Sequence, residues 1–275
     1  MSTAVDTGWE LSPAEIGVLA DVVGSDTLVD VLGIVPASRA DRRAARTALT
    51  ARGLLDQTHT LEATDLGLVS ALRSFAAPTV ALTARCAATG LVAVLATDDG
   101  ESALAVRTPG AVVLRRVWAP DSRASARVLG GVLDSAVGAT TPAAVPSARF
   151  PLDALADRLR TCHDSHDVAA AFAGGELPPQ DASLLAAAVT TARRRTEIVA
   201  RVRVDGLPTT SVGAVAVLDG PAGRVIAGPD LSVDGTPWTT FSPGTALRLE
   251  QALGRLVATV PGADVPPGTT PGHVA

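Results

Sequence analysis

One stretch of the chain gathers residues that could bind a metal or move a proton: Cys162-His163-Asp164-Ser165-His166-Asp167. His163 and His166 stand at i and i+3, neighbours on a helix surface, and two imidazoles so placed can share a zinc ion. A zinc site needs further ligands with their own spacing, and no second cluster accompanies this one in the sequence. The stretch therefore reads as a polar helix end followed by a flexible segment, Ala169–Gly175, with no metal and no cofactor expected. Nucleophilic catalysis needs a Ser or Cys beside a base, on a turn that presents it. There is no Gly-x-Ser-x-Gly elbow, and of four histidines His59 falls in a turn and His273 in the tail. Neither phosphate-cradling glycine pattern is present. The Asp-Gly pairs read as hairpin turns rather than carboxylate dyads. No enzyme is expected.

The elements that would position any site belong to a globular chain. Its 275 residues are 47% apolar and 19% charged, enough to build a substantial core. All 23 basic residues are Arg, and Lys, Asn and Tyr are absent. These absences follow AT-rich codons and point to a GC-rich genome, not to arginine selected for phosphate. A net charge of −5 argues against nucleic acid as the main partner. Cys86 and Cys162 are far apart, which fits a reducing cytosol rather than a disulfide framework. The segment Met1–Glu10 carries Asp6 and Glu10 and no basic stretch, so no signal peptide is expected. The apolar region Thr79–Ala96 is interrupted by Arg85 and falls short of the ~20 residues of a membrane span. A cytoplasmic protein without membrane insertion is expected.

In chain order, Ser12-Pro13-Ala14-Glu15 is a capping box with Pro at the first helical position, ahead of Ile16, Leu19, Ala20 and Val23. Residues Ala37–Arg52 read as a helix stopped by Gly53, then a strand–turn–strand through Leu61, then a helix from Thr64 to Phe75. Between Thr79 and Trp118 the period becomes that of strands, with turns at Thr89-Gly90, Asp98-Asp99-Gly100 and Pro109-Gly110 giving four antiparallel strands. Pro120-Asp121 opens a helix. Residues 139–150 read as a Pro-rich linker, after which helices, four strands and a last amphipathic helix recur. Asp219-Gly220 and Asp234-Gly235 read as turns, Ser242-Pro243 as the final helix entrance, and Arg193-Arg194-Arg195 as the cationic end of a helix from Asp181. The final helix buries Ala246, Leu249, Leu253, Leu256, Val257 and Val260, and 261–275 read as a frayed tail. The two halves, about 11–138 and 151–260, share one plan at an offset of roughly 120 residues. The expected fold is α+β: a pseudo-twofold repeat of helices plus a four-stranded antiparallel meander, joined in a central sheet with flanking helical bundles. Joining removes two exposed strand edges.

Two binding readings compete. Residues 37–61 resemble the recognition helix and wing of a DNA-binding regulator, with Arg39, Arg42, Arg43 and Arg46 on the helix. Alternatively, the sheet offers a polar face to a protein. Arg85 alternates with Val80, Leu82, Ala84 and Cys86, and Arg201 and Arg203 alternate with Ala200, Val202 and Val204. On strand alternation alone the candidate partner-contacting residues are Arg85, Asp98, Asp99, Gly100, Arg107, Arg115, Arg201 and Arg203. Trp238 and Phe241 read as core.

Gly223-Arg224, Asp234-Gly235, Trp238, Phe241 and Pro243-Gly244, with Arg52-Gly53-Leu54-Leu55-Asp56 and Ala77-Pro78 upstream, resemble the EspG family in order and spacing from about Leu11 to Val260. That family is associated with the ESX (type VII) secretion systems of actinobacteria. The resemblance implies one domain of two similar halves and a cytosolic, non-enzymatic chaperone. It implies a PE–PPE heterodimer or PPE-like secretion substrate as partner, whose apolar tip is shielded before export. A second copy of the chain is a further candidate partner. The central sheet and the C-terminal helical region are implied as the contact surface; the matching motifs themselves are scaffold residues.

Overall fold

The computed structural model describes residues 8–25, 27–56, 58, 65–174, 177–232 and 235–262. Readings that fell on Asp6, His59, Leu61, Thr64, Gly175, Asp234, His273 and the tail beyond 262 lie outside the described residues. The chain divides into two compact units, Met1–Val132 and Leu133–Ala275.

The first unit opens with β1 (Trp9–Leu11) and the helices α1 (Pro13–Val23), α2 (Thr27–Leu32), α3 (Arg39–Ala51) and α4 (Leu66–Ala76). The capping box of α1 is formed in full: Ser12 accepts from the Glu15 amide while Glu15 accepts from the Ser12 amide. Glu15 also takes Arg52 at 3.1 Å, tying α1 to the end of α3. The cap of α4 is Asp65, whose carboxylate also receives the Trp9 indole N–H at 2.9 Å. Four strands follow, β2 (Val80–Cys86), β3 (Leu91–Asp98), β4 (Glu101–Arg107) and β5 (Val112–Val117), in the order β1-β5-β4-β3-β2 with every pair antiparallel. Asp99 (φ 44°) and Gly100 (φ 80°) form the two-residue turn between β3 and β4, where both positions need positive φ. Val92, Val94, Ala96, Ala103, Ala105, Val112 and Leu114 share one core with Ile16, Leu19, Leu32, Leu49, Leu68 and Phe75 of the helices. The α1–α4 layer therefore covers this face of the sheet. Helix α5 (Ser122–Val137), capped by the Asp121 carboxylate at the Ala124 amide, carries the chain into the second unit.

The second unit begins with a strap, residues 139–147, read from the sequence as a linker. Here it is bound: the Arg224 amide donates to the Thr141 carbonyl at 2.8 Å, and the Ala143 amide donates to the Arg224 carbonyl at 2.9 Å. Strand β6 (Ala148–Pro151) and helices α6 (Leu152–Arg160), α7 (Ser165–Ala173) and α8 (Pro179–Thr190) follow. Next come β7 (Arg194–Val204), β8 (Leu207–Thr210), β9 (Val215–Gly220), β10 (Gly223–Leu231), β11 (Pro237–Pro243) and α9 (Ala246–Ala258). The order is β7-β9-β10-β11-β6, antiparallel throughout. Strand β8 pairs with the distal part of β7. Phe150, Phe172 and Phe241, with ring centroids 5.3–6.0 Å apart, join Leu155, Leu185, Leu218 and Val225 in the core under α6–α8.

Several local readings are corrected. Gly220 pairs with Gly223, so the turn is Pro221-Ala222; Asp219 is freed from turn duty to face Arg224. Ser242-Pro243 ends β11, and α9 is capped by Thr245, which accepts from the Arg248 amide. Leu249, Leu253, Leu256 and Val260 of its stripe are buried and Val257 is half-buried, but Ala246 is exposed; Ala252 is buried beside them. Helix α8 stops at Thr190, and Arg194 and Arg195 open β7, so the arginine run is not a helix end. The Arg193 amide instead donates to the Asp219 carbonyl, which starts the β7–β9 pairing. Ala169–Ala173 are helical, because Asp164 caps α7 ahead of them. Phe241 is core as expected, whereas Trp238 is half-buried beneath the Arg149 guanidinium, 4.6 Å from its ring.

Arg224 is the polar centre of the second unit. It is 6% exposed and donates from Nε and Nη2 to Asp219 at 2.7 and 3.4 Å, and from Nη1 to Asp134 at 2.9 Å. Burial alone would lower its pKa, but the bonds and charges of Asp219 and then Asp134 raise it further. Its carbonyl also receives the Gly244 amide at 2.7 Å. A Cβ on Gly244 would stand 2.1 Å from Arg224 Cγ, and one on Gly223 (φ 106°) 2.7 Å from the Thr141 carbonyl oxygen. Asp219→Ala strands most of a buried guanidinium and is expected to cost about 3–5 kcal/mol in urea unfolding of this unit. Gly244→Ala should also destabilise it; a midpoint unchanged in both would remove Arg224 from its central place.

Candidate functional site

The eight residues chosen from strand alternation do not form one patch. In the first unit the alternation of β2 is real, but the face carrying Arg85 also carries buried Ala81 and Thr83 under the helical layer. That face is not open. Arg85 escapes only because it lies near the strand end, where its Nη2 donates to the Val31 carbonyl at 2.6 Å. Arg107, at the end of β4, donates from Nη1 to the Gly33 carbonyl at 2.9 Å. Both arginines thus serve the C-terminal carbonyls of α2, where a cation is also favoured by the helix dipole. Arg115 pairs in register with Leu104 and is exposed on the opposite face of the sheet. Asp98, Asp99 and Gly100 occupy the other end of β3, roughly 20 Å from Arg85 and Arg107 at about 3.3 Å per residue. There Asp98 accepts from Thr79 Oγ1 at 2.9 Å, and Glu101 is held by Arg116.

In the second unit the alternation leads to an open face. Residues Arg195, Glu197, Arg201 and Arg203 of β7 are exposed and Val199 is half-buried, while Thr196, Ile198, Ala200 and Val202 between them are buried. In register, Arg195 lies beside Leu218 and Glu197 beside Ala216, which belong to the core under α6–α8. The helical layer therefore ends over β9 and leaves β7 bare. The face extends to Pro208 and Thr210 of β8, opposite Arg203 and Arg201. Asp205 (φ 50°) and Gly206 (φ 79°) turn the chain there, and Leu207 stands 70% exposed at the tip. Among the described residues no carboxylate pairs with Arg201 or Arg203. A sequence reading had no way to see where the helical layer would stop, so Arg195, Glu197 and Pro208 were missed.

The other candidates have structural employment. Asp164 accepts from the His166 and Asp167 amides at 2.8 and 2.9 Å, and Asp167 accepts from the His163 amide at 2.9 Å. The cluster is a helix start, and among the described residues no three His, Cys, Asp or Glu side chains gather as metal ligands. A groove of about 510 Å³ between α1 and α3 is lined by Pro13, Ala14, Val35, Ala37, Ala44, Ala45 and Ala48, with Ser12, Glu15 and Asp41 as its polar groups. Those three groups are occupied in helix caps. Arg39, Arg42, Arg43 and Arg46 are exposed on α3, whereas half of the expected wing, residues 57 and 59–61, lies outside the described residues. No helix among the described residues is long and apolar enough to cross a membrane.

With this geometry in place, comparison with known proteins decides the family. The EspG family model matches residues 12–255. The chain belongs to the EspG family. An ESX-1 secretion-associated protein EspG1 of Mycolicibacterium smegmatis is 32% identical over 169 residues, 61% of this chain and 55% of that protein. An ESX-3 secretion-associated protein EspG3 of Mycobacterium tuberculosis is 38% identical over 76 residues, 28% of this chain and 26% of that one. The matched sequence thus spans about half the length of the EspG1 relative, and less of the EspG3 one. In fold, the chain is similar to the Mycobacterium tuberculosis type VII secretion system chaperone EspG5, solved in complex with the PE25-PPE41 dimer. The TM-score is 0.76 at 15% identity, covering 94% of this chain and 99% of that one. At that identity the likeness is one of fold. The family model lends no support to the DNA-binding regulator.

The helix-start role of the histidine cluster has a pH signature. Asp164 is held below its ordinary pKa of 3.8, chiefly by the Asp167 amide; desolvation opposes this, and the His166 amide and the charges of His166 and His163 add smaller lowering effects. A depressed carboxylate stabilises the fold above its unfolded pKa and loses that contribution as pH falls towards the folded value. The amide resonances of His166 and Asp167 are expected to move and lose exchange protection in this acid range, and Asp164→Asn should abolish the titration. Resonances of His166 and Asp167 that titrate no differently in Asp164→Asn than in the wild type would remove the charged cap.

Proposed function

We propose that this protein is a cytosolic, non-enzymatic chaperone for a PE–PPE type substrate of an ESX secretion system, shielding the apolar PPE tip before export. The observation that carries this reading is the fold likeness to EspG5, a chaperone solved with a PE–PPE dimer in its grasp. Family membership supports it independently. The chemistry asked of such a protein is modest. It must bind the monomeric substrate better than the substrate binds itself, and mass action then keeps the substrate soluble. It must also let go, which favours a face of mixed polarity over a wholly apolar one. We read the two units, each running helices, meander and a long helix, as two uses of one plan.

Within this reading the open face of β7 and β8 is the contact surface best supported by geometry. It offers Val199 next to Arg201 along β7 and Pro208 opposite Arg203, beside two guanidiniums that pair with no carboxylate among the described residues. It fits a partner with apolar side chains rimmed by carboxylates. Strand addition at the outer edge of β8 fits less well. Val204 and Leu207 close the hairpin, so the Pro208 backbone nitrogen points to the free edge and has no N–H to give.

Co-expression with a PE–PPE pair from the same genome, followed by affinity capture, tests the proposal. Arg201→Glu with Arg203→Glu is expected to reduce capture roughly tenfold or more and to weaken its salt dependence. The thermal midpoint should stay within a few degrees of wild type, because both side chains are exposed. Undiminished capture by this variant would move the interface elsewhere, and capture by neither protein would remove the chaperone reading.

A further inference from the structure

Two arginines of the first unit end at one glycine. Arg85 and Arg107 both pair in register with Val92, from either side of β3, so they lie on the same face of the sheet. Arg107 Nη1 is 2.9 Å from the Gly33 carbonyl oxygen. Arg85 Nη2 is 2.6 Å from the Val31 carbonyl oxygen, and its Nη1 is 4.0 Å from where a Cβ on Gly33 would stand. Both acceptors are neutral carbonyls. Among the described residues neither arginine has an ion-pair partner. Arg107 Nε is buried and has no acceptor among the described residues.

This arrangement is unbalanced in charge and in hydrogen bonding. A guanidinium keeps its charge at any physiological pH and presents five N–H donors in a rigid fork. Two such groups brought together without a carboxylate repel each other, and a buried donor left unbonded is costly. Capping α2 uses one Nη donor from each arginine and explains why they are there, but it leaves the other ends of both forks without an acceptor among the described residues. One carboxylate set between the outer ends of the forks would offset both charges and accept from their remaining Nη donors. The setting favours a carboxylate carried by a protein. Val35, 82% exposed, follows Gly33 by two residues and so lies within about 7 Å of it along the chain, and the chain's net charge of −5 repels polyanions at long range.

We propose that Arg85 and Arg107 form a carboxylate-binding site at the end of α2, which takes an Asp or Glu side chain of the substrate protein beside Val35. The source of the carboxylate rests on the chaperone reading above; the existence of the site does not.

The test follows the arginine Nε–Hε resonances of the ¹⁵N-labelled full chain during titration with glutarate at constant ionic strength. Sodium chloride serves as control and inorganic phosphate as a parallel arm. Saturable shifts of Arg85 and Arg107 with glutarate, and none with chloride, are expected, while Arg115 stays still. Arg107→Lys keeps a cation for the Gly33 carbonyl and loses the fork. It should weaken glutarate roughly tenfold, about the worth of one charge-assisted hydrogen bond, and lower capture of the co-expressed PE–PPE pair by a similar factor. Melting curves of the variant show that it remains folded.

Equal shifts with chloride, or none with glutarate, overturn the site whether or not a substrate is captured. Phosphate held more tightly than glutarate assigns the pair to a free oxyanion and overturns the protein source. So does glutarate binding that the variant loses while capture is unchanged. If the wild type captures no PE–PPE pair, the chaperone reading fails, and the glutarate arm still decides the site.

Discussion

A guanidinium is costly to take out of water, and the second unit is arranged around one that has been. Arg224 stays charged, so every donor it turns inward needs an oxygen, and those oxygens come from separate parts of the chain. Asp219 lies across the β9–β10 turn, and Asp134 comes from the last turn of α5. The backbone of the same residue holds the 141–143 strap on one side and Gly244, beyond the end of β11, on the other. None of these segments can shift without leaving a buried charge or a carbonyl unsatisfied. The glycines are part of the same constraint. Gly223 must leave room for the strap, and Gly244 for the arginine's own stem.

This explains why the residues that carry the family resemblance say little about binding. Gly223-Arg224 and Pro243-Gly244 are halves of one buried knot, and substitution at any of them is a folding event. Such positions are legible in sequence because their spacing is fixed by geometry. Among the described residues Arg201 and Arg203 have no ion-pair partner, so nothing described in the fold prescribes them. Their value has to come from outside the molecule.

What could be read from the sequence follows the same division. Amphipathic periods place α1, α3, α5 and α9, and turn residues, with positive φ at Gly90, Asp99 and Gly100, place the β2–β5 meander, because each signal is local. The short edge strands β1 and β6 carry no period long enough to detect; pairing with β5 and β11 makes them. Helix α7 looked flexible because Ala-rich stretches lack a hydrophobic stripe, yet the Asp164 cap and the Phe172 contact hold it. Asp219-Gly220 looked like a turn because local chemistry favours one; a buried ion pair outweighed it. The candidate site was half legible. Alternation marks the two faces of β2 and β7 equally well, but only the packed helices decide that one is covered and the other open.

That last distinction bears on how a chaperone of this fold could release what it holds. A face built from large apolar side chains would bury them with little return from water and would tend towards a permanent interface. The bare face of β7 instead alternates guanidiniums and a carboxylate with one valine, on strands whose other side is anchored in the core. Charges of this kind speed encounter and fix orientation more than they deepen affinity, and they are screened within about 8 Å at physiological salt. Rigid strands also hold the arginines in place before binding, so little ordering entropy is spent when a partner arrives. Under the proposed function, fast capture, defined orientation and moderate holding strength would all follow from this one sheet face, and a competing event that supplies opposite charge would suffice to end the contact.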